Sequence, residues 1–374
     1  MSTIETEAAV GGGTDLVPTQ DPALAGFPAG GADLDPGKGR RRRGKATTVN
    51  AAKPRFSLSE YSQYRELFWN LTLRELRSKY KRSVIGWGWS MINPLANMAI
   101  YTIVFSMLFR IHPPVGVPSG LNSYALMYLC GMLPWTLWQG SIMESMGALL
   151  GNQNLIQKTY FPRELIPGAT VASKLVSHFI EMSLLVTVIV AFGNWRALPM
   201  IPFVLLTIAL VTIFATGMSL IFSLGNVFYR DIMHFANILF FIWMFLTPVT
   251  YPWYLVGGGL EPTGSPGPSY LVAPRALHLL GHTFSLGSLF KANPMTDAVL
   301  SFQSFIYNGA LPSTGHYLAY IPLVNGTPGK LTHGVVPAVV SWGDYAYLAA
   351  WAIGIFVIGM WIFRKYEARL PEEL

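Results

Sequence analysis

Lys174, His178 and Glu181 stand four and three residues apart in an otherwise uncharged run, 166–192. At 3.6 residues per turn the three share one face of a helix. Ionisable groups inside an apolar run are costly, and they mark buried pairs, relays or transport paths. Two readings of this trio stay open. In one, Lys174 snorkels to an interface and Glu181 finds a hydrogen-bonded partner inside a bundle; in the other, the three line or gate a polar path. Other chemistry is sparse. No stretch satisfies G-x-x-x-x-G-K-[ST], the phosphate-cradling loop of an ATPase, and G-x-S-x-G and H-E-x-x-H are missing too. A single cysteine, Cys130, leaves no disulfide within the chain and no cysteine-based metal cluster. His278 and His282 have the i, i+4 spacing of a metal pair, but the nearest acidic residues are Glu261 and Asp297. No catalytic residue, metal or cofactor is therefore assigned to this chain.

The elements that carry these residues follow from composition. Of 374 residues 52% are hydrophobic and 12% charged, against roughly a quarter charged in a soluble domain. The charge is also uneven: residues 1–82 hold 14 Lys/Arg and 9 Asp/Glu, and residues 83–374 hold only 12 and 10. A body so poor in charge fits lipid better than water. Six segments have about the 20 apolar residues that a bilayer requires: 84–110, 121–147, 166–193, 199–224, 232–250 and 344–364. Together they define a body over 84–366, followed by a short segment, 367–374. The Lys/Arg near span ends alternate in density. Arg77, Lys79, Lys81 and Arg82 precede the first span, Lys158 and Arg163 lie between the second and third, Arg230 between the fourth and fifth, and Arg364, Lys365 and Arg369 follow the sixth. The positive-inside rule then places both termini in the cytoplasm.

Two segments precede the body. Residues 1–55 are rich in Gly, Pro and Ala, carry the run Arg40–Arg43 and have no apolar period, so a disordered basic cytoplasmic tail is expected. The net charge of +7 comes largely from residues 1–82 and is no argument for nucleic acid. Residues 56–83 place Tyr61, Tyr64, Phe68, Leu71, Leu76 and Tyr80 at helical spacing with charges between them, which predicts an amphipathic helix in the membrane interface.

The connections are informative as well. The 154–164 connection carries Leu155, Ile156, Tyr160 and Phe161 among Lys158, Pro162, Arg163 and Glu164, an apolar cluster where water is expected, and so a docking element. The fifth span is short and runs into Pro248, then Pro252 and Trp253. Proline removes a donor and breaks helices, and such breaks in a membrane are tolerated where they are buried in protein or line a cavity. A second short element starts at Asn293-Pro294 and puts Phe302 and Phe305 on one face. Both read as re-entrant elements within an extracytoplasmic stretch, 251–343. Tyr101, Phe105 and Phe109 recur every four residues on the first span, and Phe240, Phe241, Trp243 and Phe245 crowd the fifth. Such rings pack against lipid or, facing a lumen, stack on sugar faces.

In order along the chain, Leu73–Ser83 leading to Gly86-Trp87-Gly88-Trp89 and Asn93-Pro94, then Gly131–Trp135, Tyr160–Glu164, Asn226–Asp231, Thr247-Pro248 with Tyr251-Pro252, and Asn293-Pro294-Met295 form a series. It resembles the permeases of type-2 ABC exporters of lipid-linked polysaccharides, the O-antigen and teichoic-acid group, over residues 59–365. The resemblance implies an all-α integral membrane fold: six transmembrane helices, an interface helix, a cytoplasmic coupling helix and short gate helices. It further implies a homodimer in a bacterial plasma membrane with two copies of a separate ATPase subunit, which bind the ATP and Mg. Coupling would fall to Leu155, Ile156, Lys158, Tyr160, Phe161, Pro162, Arg163 and Glu164. The gate would comprise Pro248, Pro252, Trp253, Asn293, Pro294, Phe302 and Phe305, and the aromatic rows would line the sugar path. The basic residues Arg74, Arg77, Lys79, Lys81 and Arg82 could receive a lipid diphosphate at the entrance. Cargo would be a polyprenyl-diphosphate-linked glycan such as a cell-wall galactan or O-antigen. An exporter of drugs or small lipids, and an integral-membrane transferase, are the alternatives.

Overall fold

The structure, a computed structural model, describes residues 64–373 apart from 112, 114–115, 117–118, 258, 262–269, 273–275, 280–281, 312–315, 322–331 and 338–339. The tail 1–55 and the start of the interface helix lie outside the described residues. The rest is a helical bundle built around one helix.

Helix α1, Arg65–Tyr80, buries Leu71, Thr72 and Leu76. Tyr64, Leu67 and Phe68 pack beside them on a cluster that includes Leu149, Ile166 and Phe363. The apolar face assigned to lipid by its spacing is thus turned in large part onto the protein, while Trp69 stays exposed. Helix α2, Trp89–Tyr101, continues through a π turn, Thr102–Leu108. No residue in the most apolar window of Gly86–Leu108 is buried.

Helix α3, Tyr124–Gly151, occupies the centre, touching α2, α5, α6, α7 and α10. Tyr128, Cys130, Trp135, Leu137, Trp138, Ile142, Met146 and Leu149 are fully enclosed, so apolar residues are needed on every side of it. Short α4, Gln153–Lys158, follows, then α5, Leu165–Ala191. Helix α6, Ile201–Phe228, is entered through a 3-10 turn, Trp195–Met200, and α7 is Ile232–Phe245. After α8, Tyr254–Gly257, come three two-stranded antiparallel ribbons: β1, Gly259–Glu261, with β2, Tyr270–Val272; β3, Ala276–Leu279, with β4, His282–Ser285; and β5, His316–Ile321, with β6, Thr332–Pro337. Between β4 and β5 lie α9, Leu286–Lys291, and α10, Pro294–Phe302, which ends in a second π turn, Gln303–Asn308. Helix α11, Trp342–Tyr366, leads through Glu367–Arg369 to α12, Leu370–Glu373. The ribbons add a small extended component that the sequence reading did not foresee. They also place His278 and His282 on neighbouring strands, where their spacing loses its helical meaning.

Among the described residues, four helical stretches are long and apolar enough to cross a membrane: Gly86–Leu108, Leu165–Ala191, Trp195–Phe228 and Trp342–Glu373. The expected span 121–147 falls on α3, which has the length but not their hydropathy, because Tyr124, Tyr128, Trp135, Trp138 and Gln139 dilute it. The expected span 232–250 corresponds to α7, whose 14 residues reach only about 21 Å, short of a core of about 30 Å. Helices α6 and α11 cross at two glycines. A Cβ on Gly217 would sit 2.6 Å from the Ile355 carbonyl oxygen, and one on Gly359 would meet the backbone of Gly217. Small residues are what let membrane helices approach this closely.

Candidate functional site: coupling element, gate and buried trio

At the Gly151 end of α3, Asn152 ends one helix and starts the next; its Nδ2 donates to the Ala148 carbonyl at 2.7 Å. Its Oδ1 accepts from Arg74 of α1. The 154–164 connection splits by face. Ile156, Phe161, Pro162 and Glu164 are buried, the first two in a cluster with Leu71, Leu149, Leu224, Phe363 and Leu370. Asn154, Gln157, Lys158, Thr159 and Tyr160 are exposed, and Leu155 is partly so. This corrects the expectation that Ile156, Phe161, Pro162 and Glu164 present themselves to a partner: they anchor the element from within. Arg163 donates to the Glu367 carbonyl, and Glu164 faces Arg364 at 3.6 Å.

The basic set beside it is also divided. Lys79 is paired with Glu144 of α3 at 2.6 Å, and Arg74 is held by Asn152 and, at 3.1 Å, by Glu75. Both act as struts at the α1–α3 junction, Lys79 partly buried and Arg74 still exposed. Arg77, Lys81 and Arg82 remain exposed. Arg82 takes a left-handed backbone, φ 64°, where the chain leaves α1.

The opposite end of α3 meets the gate elements. The Tyr124 hydroxyl donates to the Thr250 carbonyl, and the Ser123 amide donates to the Tyr307 hydroxyl at 3.2 Å. Asn293 joins the elements here. Its Oδ1 accepts from Trp243 Nε1 at 2.9 Å and, as an N-cap, from the Met295 amide at 3.0 Å; its Nδ2 donates to Thr247 Oγ1 at 2.8 Å. One carboxamide therefore ties the end of α7 to the start of α10, with Pro294 preset for the first helical turn. Gln303 Nε2 adds a bond to the Pro248 carbonyl at 3.4 Å. Pro248, Pro252, Pro294, Phe302 and Phe305 are buried and Trp253 partly so.

Asp297, which the sequence left isolated, lies in the wholly buried α10. Neither carboxyl oxygen has a hydrogen-bond partner among the described residues. Burial, and then the charge of Asp344, push it up to about 8, opposed by Lys291. Lys291 itself is bound to Asp344 at 2.8 Å, and Asp344 completes a capping box with Ser341 at the start of α11. The only signal in the sequence was an acidic residue inside an otherwise apolar, proline-started segment.

The trio of α5 does assemble. Glu181 has Lys174 Nζ at 3.9 Å on one carboxyl oxygen and His178 Nδ1 at 3.8 Å on the other. Lys174 lies across Gly140 of α3, where an added Cβ would come within 2.8 Å of its Cε. It reaches forward along α5 to Glu181. His178 is fully buried, 6.3 Å from the Phe302 ring of α10.

The aromatic rows divide. Phe240 is fully buried against Trp138 and Phe222 and is corrected from channel lining to core, while Trp243 is partly buried against Trp138. Tyr101 stacks on Tyr128, and Phe105 lies over Tyr124. Phe109, Phe241 and Phe245 are exposed. Among the described residues no three His, Cys, Asp or Glu side chains group as metal ligands.

A multi-pass helical membrane protein with a polar trio on one helix and a short two-sided connection between its second and third long helices is what fold and geometry define. Residues 66–254 match the ABC-2 type transporter family, and the chain belongs to it. Among curated proteins it is 25% identical over 260 residues to the O-antigen export system permease protein RfbA of Myxococcus xanthus, covering 70% of this chain and 87% of that one. A Klebsiella pneumoniae protein of the same name is 25% identical over 241 residues, 64% and 80% of the two chains. The polysialic acid transport protein KpsM of Escherichia coli is 23% identical over 184 residues, 49% and 68%.

Proposed function

We propose that this chain is the permease subunit of an ATP-driven exporter that carries a lipid-linked polysaccharide across the bacterial plasma membrane. The observation that carries the reading is that relatives named as O-antigen export permeases align over most of its length. The chain lacks a P-loop, so ATP and Mg would be bound by a separate subunit seated on the exposed face of 154–160. Two copies of the permease would enclose the path, with both termini in the cytoplasm. The unburied apolar faces of Gly86–Leu108 and of α7 leave ample surface for a second copy and for lipid. Exposed Arg77, Lys81 and Arg82 supply positive charge for a diphosphate near the entrance. Movement of the ATPase would reach the bundle through the buried anchors Ile156 and Phe161, since packed interiors transmit displacement.

Deletion of the gene tests this. Loss of a surface glycan, with its lipid-linked form accumulating inside, is the expected result. Unchanged surface glycan with gained sensitivity to xenobiotics would replace the polysaccharide with a drug or small lipid as cargo.

A further inference from the structure

The segment after α11 is folded back against the docking element. Helix α12 packs on α4 and on α6, and the 3-10 turn Glu367–Arg369 joins it to α11. Leu370 is fully buried, in the same cluster as Ile156 and Phe161. Two polar ties reinforce it, because Arg163 donates to the Glu367 carbonyl and Arg364 Nε lies 3.6 Å from Glu164 Oε1. Tyr366 packs edge-on against Phe228 at the end of α6, 6.3 Å between ring centres. A six-residue helix such as α4 has too few internal hydrogen bonds to hold itself. Its orientation must come from what it packs against, and the segment 367–373 supplies one side of that seat.

We propose that Glu367–Glu373 is a strap that fixes the docking element, with Leu370 and Arg163 as positioning residues, so that the exposed Gln157, Lys158 and Tyr160 meet the ATPase subunit in one orientation. This rests on the exporter reading above for its partner, and on the structure alone for the strap. Fixing a short helix before contact reduces the ordering cost of binding, so loosening the strap weakens retention of the ATPase without touching any residue at the contact.

The test uses the full chain with a nitroxide on Gln153→Cys, an exposed position of α4 outside the contact, the natural Cys130 being buried, purified together with the P-loop ATPase subunit expressed beside it. Leu370→Asp should increase label mobility and lower ATPase retention roughly tenfold, and Leu370→Met should restore both. If Leu370→Asp fails to insert, Arg163→Gln, which removes a donor with little change of volume, should show the same two effects more weakly. Unchanged mobility in both variants overturns the strap. Increased mobility with full retention overturns its role in docking. A parent chain that retains no P-loop ATPase while its label responds to Leu370→Asp overturns the exporter reading and leaves the strap standing.

Discussion

Asn293 is the residue with the most geometry resting on it. Its carboxamide holds Trp243, Thr247 and the Met295 amide at once. Replacing Asn293 with Ala leaves these groups short of partners in a buried setting, at a cost of about 1–3 kcal/mol. A lower unfolding temperature in detergent, with the chain still inserted, is the expected outcome; an unchanged one would remove Asn293 from this role. Asp297 gives a pH dependence. Its folded value of about 8 lies above the ordinary 3.8, so between these the folded state holds a proton that the unfolded state has lost. Stability contributed by the protonated acid is complete below pH ~4 and is lost as pH rises through about 8. Asp297→Asn should therefore be stabilising at pH 8 and nearly neutral at pH 4, as read by thermal unfolding at the two values. A flat difference between them would mean that the carboxyl is ionised throughout.

At the scale of elements, the α6–α11 crossing depends on two missing side chains. Gly359→Val would force its Cβ into the backbone at Gly217 and separate the helices. Overpacking of this kind costs about 1–3 kcal/mol, and reduced expression of folded protein together with a lower unfolding temperature should follow. Gly354, on the same helix with nothing near its Cβ position, should accept Ala. The docking element illustrates a limit of reading by pattern. Its apolar residues were visible in the sequence, but spacing over a six-residue helix and a bent connection does not say which of them turn inward. Burial of Ile156 and Phe161 and exposure of Tyr160 were set by α1, α6 and α12 closing over one side.

For the whole molecule, the face left outside by that closure is where the exporter reading is most exposed to refutation. Lys158→Glu with Tyr160→Ala changes two exposed residues. Export should fall severely while the permease stays inserted and folded, because the loss is at a surface for a partner. Export at the parent level would sink the assignment of 154–160 as the docking face. The buried trio belongs to this scale too, since it ties α5 to α3 at Gly140 and approaches α10 at Phe302.

Length, charge asymmetry and apolar runs by themselves determined a membrane body, its long helices, the short α7 that stops before a proline and the second short helix begun by Asn293-Pro294. These depend on local composition and on backbone rules that act within a few residues. Only the tertiary structure decided which polar and aromatic side chains are free. Lys79 went to a strut, Phe240 to the core, and Lys174 forward to Glu181. The physical reason is that a helix in lipid is apolar on every side, so hydrophobic period says little about which face meets protein. That choice is made by packing partners far away in the chain, and no local pattern carries their positions.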